Sequence, residues 1–160
     1  MEKLLQTVRF LLVMLLLGFV WAGSACAEAG SLDASQKLFF SRFRYAVQAH
    51  DPGQLIRLTH PESLSCVPEE DREFYYGRML DGLGYVLGKR QAIRNIRVEE
   101  YAPGELVPSR DLPSGDDVRW PVVPQARIIL EYERQGRKAV ASLYLARDQN
   151  DWKWVHICVE

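Results

Sequence analysis

Apolar and polar residues alternate over the last third of the chain, and this period of two predicts three consecutive β-strands. The predicted strands cover residues 125–133, 138–147 and 152–159. Gln135-Gly136 fits the two-residue loop of a tight hairpin, because glycine accepts a positive φ without steric cost. The polar segment 148–151 fits the second turn, since Asp and Asn side chains bond to nearby backbone groups. The pattern therefore predicts an antiparallel meander.

A helical period of apolar residues precedes these strands and predicts a layer that covers the sheet. The predicted helices cover residues 31–49, 54–59 and 69–81. Ser31 or Asp33 is suited to cap the first helix, and Asp51-Pro52 offers an N-cap followed by a proline at the first helical position. A loop through Ser63 is predicted between the second and third helices. The third helix is predicted to be broken at its glycines, at positions 82, 84 and 88.

Between the helices and the meander lie one further predicted strand, at 93–101, and a connection at 102–124 rich in proline and glycine. We interpret the connection as a long hairpin whose ends extend the sheet, although connections of this length are often functional. Its partial strand residues are predicted to be Leu106, Val107, Val118 and Trp120. Because such strands are not stable alone in water, the helices must cover one face. The predicted fold class is α+β, with N-terminal helices packed on a curved antiparallel sheet.

The N-terminus has the three-part layout of a secretory signal peptide. Basic residues flank the start, the uncharged run 10–22 follows, and small residues lead to Ala25-Cys26-Ala27. We expect residues 1–27 to be removed, which leaves a single domain at 28–160 in a periplasmic or secreted location. An uncleaved anchor is one alternative, but the apolar run is shorter than the about 20 residues that span a bilayer. Lipidation of Cys26 is another.

Export changes the interpretation of the cysteines. Once the leader is removed, Cys66 and Cys158 are left as a pair in an oxidising compartment, and we predict a disulfide between them. Two buried free thiols are the alternative.

Composition excludes some classes of partner. A net charge of −1 with no basic tract argues against nucleic acid. Membrane contact is expected if the N-terminal segment is retained or Cys26 is lipidated. The histidines lack the spacing of a metal site, and no cofactor is predicted.

Five side chains are candidates for lining a ligand pocket, because they are aromatic or titratable and lie in or beside predicted helices and strands. They are His60, Tyr75, Tyr76, Trp120 and His156. His60 could act as a general base oriented by Asp51. A histidine before a proline more often caps or packs a turn, and aromatic residues often fill a core. No catalytic residue is assigned.

The order of these elements resembles the nuclear transport factor 2-like superfamily, which includes ketosteroid isomerase-like and SnoaL-like domains. The resemblance rests on segments 45–52 and 55–61 and on strand positions Tyr132, 143–145 and Trp154. It implies a cone-shaped, cystatin-like roll with a pocket between helices and sheet. It does not imply one activity, since enzymes, binding modules and assembly factors share the fold.

We expect a non-enzymatic exported domain that binds a small molecule or a protein. One alternative is a pocket enzyme of the isomerase, dehydratase or hydrolase type that uses His60, Asp51 or a tyrosine. Another is an envelope assembly factor anchored by an uncleaved N-terminus. A homodimer formed through the sheet is a further expectation about partners.

Overall fold

The computed structural model describes residues 30–88, 92–102 and 118–159. In these residues helices pack on an antiparallel sheet, so the predicted α+β class is confirmed. The leader at 1–27 lies outside the described residues, as do Leu106 and Val107. No helix in the described ranges is both long and apolar enough to cross a membrane.

In the described part of the chain, four α-helices and one 3-10 turn form the helical layer. They are α1 (Ala34–Ala49), α2 (Pro52–Leu58), α3 (Pro61–Leu64), the 3-10 turn (Glu69–Asp71) and α4 (Arg72–Leu87). Asp33 is the N-cap of α1: its carboxylate accepts from the Gln36 amide at 2.7 Å, and the Gln36 side chain accepts from the Asp33 amide at 2.9 Å. This reciprocal pair satisfies two amides that the helix itself leaves unpaired.

The start of α2 is as predicted, and the element after it is not. The Asp51 carboxylate accepts from the Gln54 amide at 2.8 Å, with Pro52 at the first helical position. The segment through Ser63, predicted as loop, instead contains the single-turn helix α3. Its N-cap is His60, whose Nδ1 accepts from the Glu62 amide at 3.2 Å, so the histidine has the capping role that is common before a proline.

The predicted break of the third helix is wrong at Gly82 and Gly84, whereas Gly88 does end the helix as its C-cap. Helix α4 continues through Gly82 and Gly84 and ends at Leu87. Each helical glycine costs about 1 kcal/mol relative to alanine. The helix also buries Leu80 and Leu87 almost completely, and the burial of each large apolar side chain contributes about 1.5–3 kcal/mol, which outweighs the local cost.

The strands among the described residues are β1 (Ile93–Glu100), β2 (Val118–Arg119), β3 (Ala126–Arg134), β4 (Arg137–Asp148), β5 (Asp151–Val155) and β6 (Cys158–Val159). The main sheet has the antiparallel order β1-β3-β4-β5, and β2 pairs with β6 separately. Gln135 and Gly136 form the β3–β4 turn with positive φ values of 52° and 73°. The strand predicted at 152–159 is therefore two strands, because the chain leaves β4 after Val155 and pairs with β2.

The main core lies between the helices and one face of the sheet. Ile128, Leu130 and Leu145 point into it from adjacent strands and are fully buried. The Phe43 ring of α1 meets the Trp154 ring of β5 edge-on, with 5.3 Å between centroids. This contact fixes α1 against the edge strand of the sheet.

The opposite face of the sheet carries a smaller cluster. Tyr144, Ala146 and Val155 are buried there, and Trp120 packs on Tyr144 with ring centroids 4.7 Å apart. The Arg127 guanidinium lies 2.8 Å from the Glu99 carboxylate on neighbouring strands. The segment that follows β2 thus covers part of this face.

Candidate functional site

A cleft of about 280 Å³ opens between the first half of α1, helix α2 and the start of β5. The α2–α3 junction is held against β5, because the His60 amide donates to the Trp154 carbonyl at 2.8 Å. The Lys153 ammonium also donates to the Arg57 carbonyl at the end of α2, at 2.9 Å. These two bonds set the width of the cleft on the β5 side.

The floor of the cleft is apolar. Phe39, Leu58 and Trp152 line it and are each less than 10 % exposed. The Trp152 indole N–H donates to the Ser35 hydroxyl at 3.0 Å, and the Arg147 guanidinium carbon lies 4.3 Å from the centre of its ring. A hydrogen bond and a cation–π contact therefore hold the indole in one orientation.

The rim of the cleft is charged and mainly basic. Arg42, Arg57 and Lys153 contribute cations, and Asp151 is the one carboxylate among the described lining residues. Arg57 donates to the Gln54 side-chain oxygen at 2.7 Å. Arg42 is exposed and makes no hydrogen bond or ion pair in the described part of the chain. At least one guanidinium is thus available to a ligand.

A second feature, the aromatic cluster, is formed by ring contacts and is mostly buried; it consists of Tyr75, Tyr76, Trp154 and His156. The Tyr76 hydroxyl oxygen is 2.8 Å from His156 Nε2, and His156 Nδ1 is 3.0 Å from the Ile157 carbonyl oxygen. Since a carbonyl can only accept, we assign the proton to Nδ1, so Nε2 accepts from the tyrosine. Both rings are buried.

Burial keeps this pair neutral. It lowers the pKa of His156, although the bond to the Ile157 carbonyl acts in the opposite direction. Burial likewise raises the pKa of Tyr76. A neutral tyrosine donor and a neutral imidazole acceptor form a satisfied internal pair.

The structure brings three of the five predicted ligand residues together. Tyr75 and Tyr76 lie against His156, with ring centroids 5.9 Å and 5.7 Å from the imidazole. Tyr75 is 37 % exposed, so this part of the aromatic cluster reaches the surface. His60 caps α3, and Trp120 packs on the opposite face of the sheet, so these two are not part of the cluster.

The predicted disulfide is confirmed. Cys66 and Cys158 are bonded, with Cα atoms 5.6 Å apart and a sequence separation of 92 residues. The bond joins the segment after α3 to β6. A loop of this length corresponds to roughly 4–5 kcal/mol of lost chain entropy in the unfolded state.

The cleft residues are the ones that sequence reasoning missed. Arg42 and Arg57 fit the solvent side of helices, and Lys153 alternates with apolar neighbours in a strand. They come from three elements, and Lys153 lies 96 residues beyond Arg57, so no local spacing relates all three. A weak signal was the pair Trp152-Lys153 directly after a turn, where a large aromatic residue begins an edge strand.

In the described ranges no group of three or more His, Cys, Asp or Glu side chains could hold a metal ion. Neither family models, nor curated proteins, nor solved structures give a significant match to this chain.

Proposed function

We propose that this chain is an exported binding module that takes a small ligand in the cleft between α1, α2 and β5. The observation that carries the proposal is the combination of a buried apolar floor with a charged rim in one concavity. Ligand sites in proteins combine these two features, the apolar part for affinity and a few polar groups for orientation. The fixed indole of Trp152 supports it, since a side chain held in place before binding loses little entropy on binding.

Export is the second part of the proposal. It is supported by the leader pattern at residues 1–27 and by the Cys66–Cys158 bond. Disulfides persist in oxidising compartments and are rare where thiols are kept reduced. We place the mature protein in a periplasm or in the extracellular medium.

A non-enzymatic role is supported by what the candidate acids and bases do. His60, the candidate base, and Asp51, the candidate orienting group, each accept a hydrogen bond from a backbone amide at the start of a short helix. Such capping bonds stabilise helix ends and occupy the side-chain acceptor. We also propose that the fold is of the nuclear transport factor 2-like kind, on the order of helices followed by a bent antiparallel sheet.

One observation favours the enzyme alternative. Tyr76 and His156 are two titratable side chains within hydrogen-bonding distance, 2.8 Å, and Tyr75 connects them to the surface. A pocket enzyme would use this pair as acid and base. It would require substrate to reach the pair.

NMR mapping of the mature protein distinguishes a binding module that uses the cleft from an enzyme that uses Tyr76 and His156. A library of small organic molecules is added to ¹⁵N-labelled protein, and the indole and amide signals are followed. The proposal expects hits to shift the indole of Trp152 and the amides of α2, and to leave the indole of Trp120 on the opposite face unchanged. Hits that shift Tyr76 and His156 instead would support the enzyme, and a library without hits would count against ligand binding.

A further inference from the structure

We propose that the ligand of the cleft is a small amphiphilic anion, in which a carboxylate or phosphate group is joined to an apolar body. This inference rests on the proposed binding function and adds the chemical class of the ligand. It is carried by the charges of the rim and by the position of the apolar surface beside them.

The rim presents more positive than negative charge. Arg42, Arg57 and Lys153 face one carboxylate, that of Asp151, among the described lining residues. The nearby Asp51 carboxylate is already engaged, since it accepts from the Gln54 amide at 2.8 Å. A cationic ligand would meet like charge at this rim, which disfavours its binding.

The two arginines suit an acidic group better than a single ammonium would. A guanidinium presents a planar fork of donors that matches two oxygens of a carboxylate or phosphate. Arg42 has no competing partner in the described part of the chain. Its fork is therefore available without breaking an existing bond.

The apolar body has a surface to lie on. Phe39, Leu58 and Trp152 form the floor, and Leu38 at the rim is 52 % exposed. Tyr45 lies two turns further along the same face of α1 and is 66 % exposed, so apolar surface continues out of the cleft past Arg42. An acidic group beside Arg42 would leave its apolar body in contact with this surface.

The size of the cleft selects a small molecule. Its volume of about 280 Å³ is near the lower limit of about 300 Å³ for ordinary ligand pockets. A polypeptide segment would need a longer groove. The cleft therefore fits a single short chain or one aromatic ring with its acidic group.

Calorimetric titration with four ten-carbon probes tests the inference. The mature protein is titrated with decanoate, decyl phosphate, decanol and decylammonium, each below its micellar concentration. We expect decanoate or decyl phosphate to bind at least tenfold more tightly than decanol, and decylammonium to bind weakest. Whichever of decanoate and decyl phosphate binds more tightly identifies the preferred acidic group. Added salt should weaken the binding of that probe.

Two variants locate the interaction. Arg42→Gln should weaken the preferred acid about tenfold or more, as expected when one charge-assisted pair is lost. Arg78→Gln is the matched control, because Arg78 is also an exposed helical arginine and lies outside the cleft lining, pairing with Asp81. It should leave the affinity unchanged.

Three results would overturn the inference. Equal binding of decanol and the acids, with no effect of Arg42→Gln, would leave a binding module whose ligand is not anionic. Equal sensitivity to Arg42→Gln and Arg78→Gln would indicate diffuse charge attraction without a site. Binding by none of the probes would reject the amphiphilic anion, and the NMR library would then decide separately whether the cleft binds anything.

Discussion

The Tyr76 hydroxyl oxygen and His156 Nε2 are 2.8 Å apart across the interface between α4 and the segment that joins β5 to β6. Neither side chain is open to solvent, since Tyr76 is completely buried and His156 is nearly so. The Ser63 hydroxyl accepts from the His156 amide at 3.4 Å, which links α3 to the same segment. One polar pair thus ties the helical layer to the point where the final strand departs from the main sheet.

Removing the donor of this pair should destabilise the fold. Tyr76→Phe keeps the ring and leaves Nε2 buried without a partner, which costs about 1–3 kcal/mol. Urea denaturation followed by circular dichroism measures the loss. Tyr85→Phe is the control, because Tyr85 is 70 % exposed, and it should stay within about 0.5 kcal/mol of the unmodified protein. Equal losses in the two variants would show that the buried pair contributes nothing special.

Acidification should lower the free energy of unfolding in part through His156. Burial lowers its pKa in the folded protein below the ordinary value of 6.5, so the unfolded chain binds a proton first as pH falls. The contribution of His156 to the free energy of unfolding is therefore full above pH 6.5 and declines as pH falls towards the folded pKa. Denaturation at pH 7.5 and pH 5.5 should reveal the decline. The His156→Gln variant cannot titrate at this position, so its free energy of unfolding should fall less between the two pH values. If the variant loses as much stability as the unmodified protein, other groups cause the pH dependence.

Much of the fold could be predicted because local rules and tertiary structure agree in the last third of the chain. The alternation in β3 and β4 reports a buried face, and Gly136 allows the turn between them. Alternation shows which residues share a face of a strand, but it does not show which strands pair. The sequence therefore predicts one continuous strand at 152–159, where the structure has two strands on either side of His156. Tertiary burial likewise overrode the low helix propensity of Gly82 and Gly84 in α4.

The candidate site was harder to predict for a physical reason. Tyr75 and Tyr76 are adjacent in sequence, so a fold that brings one of them to His156 brings the other there as well. The grouping of these three predicted ligand residues therefore depends on few long-range contacts. The cleft depends on the packing of α1 and α2 on β5. Arg42 and Lys153 both line its rim only because these elements pack together in three dimensions. The exposure of each residue on its own helix or strand does not predict that they share a cleft.

Loss of the disulfide should lower stability more than any single polar contact. The paired change Cys66→Ala with Cys158→Ala removes the bond without leaving a lone thiol. We expect a loss of about 2–5 kcal/mol, because the unfolded chain regains the freedom of a long loop. Chemical denaturation measures it, and dithiothreitol should reproduce the loss in the unmodified protein while leaving the double variant unaffected. Stability that is insensitive to both treatments would contradict a structural role for the bond.

The glycines of α4 offer a paired test of how the helix is built. A Cβ at Gly82 would meet no atom within 4 Å, so Gly82→Ala should stabilise the protein by about 0.5–1 kcal/mol through reduced freedom of the unfolded chain. A Cβ at Gly88, after the last turn, would collide with the carbonyl oxygen of Gly84, so Gly88→Ala should destabilise it. Thermal unfolding of the two variants beside the unmodified protein measures opposite shifts. Stabilisation by both would mean that the end of α4 differs from the one described, and destabilisation by both would mean that Gly82 lies against a neighbour.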